Sequence, residues 1–254
     1  VTFATALEEG AVKPEDTWNV PYTWTSANGQ TFKDSHEHET QTLTTAGVLA
    51  ESSNVGTVQI GEKLADDVRY DYMKRFGWGQ ATGIEMPAES DGILYPPSSW
   101  DDRTRYTTMF GQGVAGTTLQ SLQVLATVAN KGEQMTPYLV SRTLDPDLNE
   151  VSTTSKKVAR TPIDSATASS LSSLMQKAVA DGTGTSAQVA GVQVAGKTGT
   201  AETGTDSGPT TWFVGFAGTD INKPQIALAV VLDGNAETED GATGGKIAGP
   251  IAAQ

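Results

Sequence analysis

Three stretches in the second half of the chain carry the alternating or continuous apolar residues that are typical of β-strands. They cover about 191–201, 210–218 and 225–233 and are rich in valine. The segments that join them are too short for the crossovers that parallel strands need. The pattern therefore predicts an antiparallel meander of three strands.

A period of three to four residues governs much of the preceding chain and predicts amphipathic helices. A Thr117-Thr118 cap and an Asp164 cap begin two of them. Weaker signals predict a hairpin at Asn28-Gly29 and a short final helix opened by Gly244-Gly245. Helices followed by a strand meander indicate an α+β chain. The expected helices lie at the chain start up to Gly10, and at 42–51, 57–64, 66–76, 117–131 and 164–180. We also expect a strand at 138–144, a polar linker at 152–155 and a loop at 202–209.

Composition and charge exclude several classes of function. The 254 residues carry a net charge of −13, so the surface should repel nucleic acid and anionic membranes. The absence of cysteine excludes disulfides, thiolate catalysis and cysteine-ligated zinc. The longest apolar run, Ile226 to Leu232, is too short to span a bilayer.

The only histidines lie together in the run His36-Glu37-His38-Glu39. An H-x-H pair could ligate a metal, but no further histidine or cysteine is available to complete a site. We therefore expect a solvated turn in an acidic loop, with no metal and no cofactor.

The run Lys197-Thr198-Gly199-Thr200 ends the first predicted strand and carries the clearest chemical signal. Side chains on a strand alternate faces, so Lys197 and Gly199 should share one side and the two threonines the other. A fixed cation, hydroxyls and a glycine that permits close approach can together bind a carboxylate and an adjoining peptide group. An ordinary strand with an exposed lysine is the alternative.

The same letters also fit the phosphate-binding pattern G-x-x-x-x-G-K-[ST], from Gly191 to Thr198. That motif needs a glycine-rich loop followed by a helix N-terminus. Here the expected loop has a strand pattern, and the residues after Thr198 are poor helix formers. The context argues against a phosphate site.

A second polar motif, Ser52-Ser53-Asn54, stands between two predicted helices far upstream of Lys197-Thr198-Gly199. In this order the two resemble the second and third motifs of the penicillin-recognising serine enzymes, which use S-x-x-K, S-D-N and K-T-G. Further agreement comes from Gly111-Gln112-Gly113, from the run 211–216 and from Gly244-Gly245. The chain resembles the transpeptidase domain of a class B penicillin-binding protein of the septal, division-associated kind.

The resemblance implies one α+β transpeptidase domain over 1–254, incomplete at both ends, with three of the fold's five sheet strands. Its helical subregion would cover about 40–135 and its sheet-forming subregion about 136–254. The first motif, S-x-x-K, is absent. Because Thr5-Ala6-Leu7 matches the helix end that follows that motif in the family, we expect the nucleophilic serine just upstream of Val1.

The resemblance also implies roles for the site residues in a peptidoglycan D,D-transpeptidase. Ser52, Lys197 and Thr200 would be catalytic, with Ser52 relaying a proton and the Thr200 N–H forming half of an oxyanion hole. Ser52 and Lys197 would lie side by side across a cleft between the helical part and the sheet edge. Asn54, Thr198, Gly199 and Thr200 would bind substrate. For Ser52, and similarly for Asn54, a purely structural role in capping or turning the chain is the alternative.

The implied partners are the D-Ala-D-Ala end of a wall stem peptide, β-lactam antibiotics and other proteins of the division machinery. No nucleic acid partner is expected. The domain would lie on the extracytoplasmic face of the membrane and would contact the membrane only through an anchor outside this chain. A serine β-lactamase or D,D-carboxypeptidase and a non-catalytic β-lactam sensor domain remain alternatives.

Overall fold

The computed structural model describes residues 1–202, 208–234 and 242–254. Within these ranges the helices are α1 Thr2–Glu8, α2 Thr45–Glu51, α3 Asn54–Gly61, α4 Asp66–Arg75, α5 Thr104–Thr107, α6 Thr118–Ala129, α7 Ser165–Ala180 and α8 Ala248–Ala252. The strands are β1 Thr17–Val20, β2 Thr23–Thr25, β3 Thr31–Lys33, β4 Gln41–Thr44, β5 Gln134–Met135, β6 Arg142–Leu144, β7 Glu150–Thr153, β8 Val158–Arg160, β9 Gln193–Ala201, β10 Thr210–Gly218 and β11 Ile226–Leu232.

The main sheet has the order β11-β10-β9 with both pairs antiparallel, which confirms the predicted meander. Lys197 lies opposite Val214, and Thr198 lies opposite Phe213. Directly paired residues share a face, so Lys197 and Thr198 face opposite sides of the sheet, as the alternation predicts.

The two faces of the sheet pack against different hydrophobic clusters, and α7 contributes to both. Val214 and Phe216 pack into the large hydrophobic cluster that also contains residues of α2, α3 and α6. Phe213 lies in a separate cluster with Val179 and Ala248, which come from α7 and α8. Lys197 therefore faces the helical layer, and Thr198 faces the side of α8.

The junction of α2 and α3 is shaped by two local caps and one close contact. The Thr44 hydroxyl accepts a hydrogen bond from Gly47 N–H at the start of α2, and the Ser53 hydroxyl accepts one from Gly56 N–H at the start of α3. Gly56 lies so near the buried side chain of Val48 that a Cβ there would come within 2.6 Å of a Val48 methyl. The two helices thus meet closely at the motif that joins them.

Several predicted elements are confirmed. Asp164 caps α7, Thr117 forms a capping box with Gln120 at the start of α6, and β2 and β3 form the hairpin predicted from Asn28-Gly29. The helix expected at the chain start and the short one after Gly244-Gly245 are also present.

Other boundaries were wrong. Residues 41–44 pair with β1 as a strand, so the helix predicted from 42 begins only at Thr45. The next helix begins at Asn54, three residues before the prediction. The strand predicted over 138–144 is reduced to Arg142–Leu144, and it pairs with Glu150–Thr153, which includes part of the predicted polar linker. Most of the loop predicted over 202–209 lies outside the described residues.

Among the residues described, no helix is both long enough and apolar enough to cross a membrane.

Candidate active site

The two polar motifs meet at one direct contact. The Lys197 ammonium Nζ donates a hydrogen bond of 2.6 Å to the Ser52 hydroxyl Oγ. A second bond of 2.9 Å to the Thr198 carbonyl holds the same ammonium group. The predicted adjacency of Ser52 and Lys197 is confirmed, and it joins the helical layer to β9.

Ser52 occupies an unusual backbone position. It follows the last residue of α2 with φ 57° and ψ 36°, in the left-handed region that residues with a Cβ seldom adopt. The cap of α3 is Ser53 rather than Ser52. The alternative in which Ser52 merely caps the following helix is therefore wrong, because its hydroxyl accepts from Lys197 instead.

Asn54 is the first residue of α3 and is half-buried beside the cleft. Its side-chain amide donates a hydrogen bond of 3.2 Å to the Lys33 carbonyl at the end of β3. This bond to the hairpin β2–β3 fixes the orientation of the Asn54 side chain at the cleft.

The two threonines of β9 have different partners. The Thr198 hydroxyl is buried and lies 2.7 Å from the Thr183 hydroxyl in the turn after α7. The Thr200 hydroxyl is exposed and accepts a 3.1 Å hydrogen bond from Gly244 N–H. Because a hydroxyl has one proton to donate, Thr200 can still donate to a ligand.

Glycines permit this close packing around β9. A Cβ on Gly244 would lie 2.3 Å from the Trp212 carbonyl oxygen and 2.4 Å from that of Gly199. Only glycine can therefore place its N–H against Thr200 without displacing the backbone.

Two cavities meet at these residues. One, of about 300 Å³, is lined by Ser52, Asn54 and strand residues 197–200, with Trp78 and Phe110 among its apolar walls. The other, of about 480 Å³, shares Ser52, Asn54 and residues 198–200. The shared walls make the cavities two arms of one cleft, and all six predicted site residues line it.

The electrostatic character of the cleft centres on Lys197. Burial lowers the pKa of its ammonium group to about 8, so the side chain is mostly cationic at neutral pH. A cation with hydroxyls beside it can bind a carboxylate, and the contact with Ser52 allows proton exchange with that hydroxyl. In the part of the chain that the structure describes, β9 is an end strand of its sheet, and such a strand can pair with an extended peptide.

The phosphate-loop alternative is excluded by the backbone. Gly196, Lys197 and Thr198 lie inside β9 and are paired with β10 residues. β9 continues to Ala201, so no helix N-terminus directly follows Thr198 to bind phosphate.

Sequence reasoning missed Asp34, which is buried beneath the Ser52-Ser53-Asn54 motif. It accepts hydrogen bonds from the Ser53 hydroxyl at 2.7 Å and from Val55 N–H at 2.9 Å. Its position just after the predicted hairpin was the only available signal.

The predicted solvated turn at the histidines is correct for His36 and wrong for His38. His36 is exposed, whereas the His38 side chain is 9% exposed and lies 3.1 Å from the Asp34 carboxylate. The folded loop turns His38 inward toward this carboxylate. No group of three or more metal-ligating side chains occurs in the described ranges.

Comparison with protein families gives a match over the whole chain. The model for the penicillin binding protein transpeptidase domain matches residues 1–254. Penicillin-binding protein PbpB of Mycolicibacterium smegmatis is 32% identical over 262 aligned positions that cover 98% of this chain. Peptidoglycan D,D-transpeptidase FtsI of Escherichia coli is 30% identical and aligns with 90% of it. The chain spans only 40% and 37% of the lengths of these two relatives.

Solved structures show the same architecture. Penicillin binding protein 3 from Mycobacterium tuberculosis, complexed with aztreonam, matches with a TM-score of 0.86 at 30% identity. A peptidoglycan synthetase from Bifidobacterium adolescentis matches with a TM-score of 0.88 at 34% identity. Each alignment covers 99% of this chain, and they cover 58% and 45% of the two solved chains.

Proposed function

Because the chain belongs to the penicillin-binding protein transpeptidase domain family, we propose that it is the catalytic domain of a peptidoglycan D,D-transpeptidase. The observation that carries the proposal is the 2.6 Å hydrogen bond from Lys197 to Ser52 in the shared cleft. A half-buried lysine against a serine hydroxyl, on a strand open to a peptide, suits acyl transfer at a peptide terminus better than phosphate or metal chemistry.

The reaction transfers a peptidyl acyl group in two steps. A serine oxygen attacks the carbonyl carbon of the penultimate D-Ala, the C–N bond to the last D-Ala breaks, and that D-Ala leaves with a proton on its nitrogen. An amine of a second stem peptide then attacks the ester, forms the cross-link and returns the proton to the serine. No redox step and no cofactor is needed.

Each residue of the cleft has a part in this scheme. Lys197 supplies positive potential for the terminal carboxylate, and Thr198, Gly199 and Thr200 form the strand along which the peptide end lies. Thr200 donates its hydroxyl proton to the carboxylate and its N–H to the developing oxyanion. Donors of the latter kind are each worth roughly 10²–10³ in rate in related acyl transfer.

Ser52 relays a proton to the leaving amine, and Asn54 binds the donor peptide backbone. Positioned proton transfer of this kind contributes typically ~10²–10⁴ in rate. The sequence contains no Ser-x-x-Lys run, so we place the nucleophile in a segment upstream of Val1.

The partners follow from the same chemistry. The substrate is the D-Ala-D-Ala end of a stem peptide, and β-lactams, whose shape and carboxylate imitate that end, acylate the same serine. The domain acts on the extracytoplasmic face of the membrane, held by an anchor outside this chain, in septal wall synthesis with other division proteins.

The test uses the full-length protein with a thioester analogue of the acyl-D-Ala end and a D-amino acid as acceptor. A transpeptidase gives the aminolysis product and labels with fluorescent penicillin. Hydrolysis without aminolysis would indicate a carboxypeptidase or β-lactamase, and a stable penicillin adduct without turnover of the thioester would indicate a sensor. Either result would overturn the proposal.

A further inference from the structure

We propose that Asp34 and His38 form a positioning pair that holds the Ser52-Ser53-Asn54 motif in its working conformation, and that the imidazolium form of His38 is required. This inference rests on the proposed function, since it assigns residues that act through the motif. Asp34 belongs to no motif of the sequence, His38 was considered there only as a possible metal ligand, and neither residue lines the cleft.

Asp34 ties together the backbone on both sides of Asn54. Its side chain is 6% exposed, and Oδ2 accepts from the Ser53 hydroxyl while Oδ1 accepts from Val55 N–H. The carbonyl of Lys33, the residue just before Asp34, accepts from the Asn54 side-chain amide. One short segment after β3 therefore fixes the residue before Asn54, the residue after it and its side chain.

The same carboxylate oxygen faces His38. His38 Nε2 lies 3.1 Å from Asp34 Oδ2, and His38 Nδ1 lies 2.7 Å from the Glu39 carbonyl oxygen. A carboxylate and a carbonyl can only accept, so both ring nitrogens must donate to satisfy the two contacts. Only the imidazolium carries both protons; a neutral ring leaves one contact between two acceptors.

The groups around the ring favour the cation. The Asp34 and Glu51 carboxylates act on it electrostatically, the Tyr22 ring meets it edge-on at 6.0 Å, and the exposed His36 ring lies 5.7 Å away. The Glu39 carbonyl is the largest influence and raises the pKa of His38; burial opposes it, and the Asp34 and Glu51 charges add to the increase.

The sign of the pH effect follows from this increase. A protonated histidine stabilises the folded state when its pKa is higher there than in the unfolded chain. This stabilisation is fully present below the unfolded-state pKa of about 6.5, and it is lost as the pH rises through the folded-state pKa. At higher pH Asp34 keeps its bonds to Ser53 and Val55 but loses its cationic partner. The motif should then be held less tightly, and acylation that depends on Ser52 and Asn54 should slow.

The experiment compares full-length variants by the rate constant for acylation with fluorescent penicillin between about pH 6 and pH 8.5. His38→Gln removes the titration, His38→Lys supplies a permanent cation over this range, and Lys223→Gln, which removes an exposed charge between β10 and β11, is the control. Each variant's rate constant is divided by that of the wild type at the same pH. This ratio cancels the effect of titrating groups that the variant and the wild type have in common.

Near pH 6, we expect His38→Gln to be acylated about tenfold more slowly than the wild type, which is the scale of one charge-assisted hydrogen bond. As the pH rises, its rate should approach that of the wild type. The rate of His38→Lys relative to the wild type should increase over the same range, and Lys223→Gln should match the wild type throughout. If His38→Gln does not fold, the ratio of His38→Lys to the wild type decides.

Rate ratios that stay constant with pH would overturn the inference. The loss of a histidine with only a structural role would lower the rate by the same factor at all pH values. If the wild type labels but the ratios stay constant with pH, only this inference fails and the proposed function is retained. A wild type that does not label at all would overturn the proposed function and this inference with it.

Discussion

Lys197 donates its hydrogen bond to Ser52 across 145 positions of sequence, and this contact joins the edge of the sheet to the end of α2. In the described part of the chain, no second residue donates a hydrogen bond to the Ser52 hydroxyl. The orientation of the Ser52 hydroxyl therefore depends on Lys197.

Replacing this lysine gives the first prediction. In the full-length protein, Lys197→Ala should reduce labelling by fluorescent penicillin about 10²-fold or more, the scale of lost electrostatic stabilisation in acyl transfer. Lys223→Ala, which removes an exposed lysine on the turn between β10 and β11, is the control and should label like the wild type. Labelling kinetics of Lys197→Ala close to those of the wild type would contradict the site assignment.

The pH dependence of ligand binding gives the second prediction. Burial lowers the pKa of Lys197 to about 8, so the cation is mostly present at pH 7 and mostly lost at pH 9. We expect the β-lactam concentration that gives half-maximal acylation to rise about tenfold over that interval. Lys197→Arg stays charged and should bind with little dependence on pH, although less well overall. Parallel profiles for the two proteins would exclude Lys197 as the titrating group.

The backbone at Ser52 gives the third prediction. Ser52→Ala and Ser52→Gly both remove the hydroxyl, so both should lower transpeptidation by roughly 10²–10⁴. The residue has φ 57°, where glycine has no steric cost. Ser52→Gly should therefore be more stable than Ser52→Ala, by roughly 0.5–1 kcal/mol, in thermal unfolding. Equal stability would mean that the left-handed conformation relaxes in the variants.

The strongest local patterns predicted their elements well. α6 and α7 have apolar stripes and local caps at Thr117 and Asp164, and β9 to β11 are continuous enough to be recognised without tertiary information. The contact between Ser52 and Lys197 was predicted only through the family resemblance, because nothing in spacing alone brings those residues together.

The errors have physical causes. β7 is exposed along its whole length, so it lacks the alternation that marks a half-buried strand. Asp34 lies 19 positions before Ser53, and Thr183 lies 15 before Thr198; only the tertiary fold shows that these pairs are hydrogen-bonded. His38 was misassigned because its partner Asp34, four residues earlier in the same loop, is buried only in the folded structure.

The close approach of α2 and α3 gives the fourth prediction. A Cβ at Gly56 would lie 2.6 and 2.8 Å from the two methyl carbons of Val48, whose side chain is fully buried. Gly56→Ala should therefore cost about 1–3 kcal/mol and move Ser52 away from Lys197, which slows labelling. A Cβ at Gly47 meets only Leu43 and Thr44, at 3.4 Å or more, so Gly47→Ala should be neutral or stabilising by up to about 1 kcal/mol.

A variant that carries both Val48→Ala and Gly56→Ala separates a steric clash from a loss of backbone freedom at position 56. Val48→Ala removes the methyls that a residue-56 Cβ would meet, so Val48→Ala with Gly56→Ala should be more stable than the sum of the single effects predicts. Strict additivity in unfolding measurements would contradict the proposed clash.

The last prediction concerns residues 1–254 expressed alone. Acyl-enzyme formation needs a serine activated by a nearby base, and the Ser-x-x-Lys run that supplies both in this family occurs nowhere in the sequence. Ser52 is held by Lys197 in the geometry of a proton relay, and its backbone is fixed between two helices. We therefore expect no penicillin adduct on this fragment. In the described ranges, moreover, β11 pairs only with β10, so its other edge is open and favours aggregation. Mass spectrometry after incubation with penicillin provides the measurement, with the labelled full-length protein as the positive control. A stable increase of one drug mass on a soluble fragment would mean that the nucleophile lies within these residues and that Ser52 is the first candidate for it.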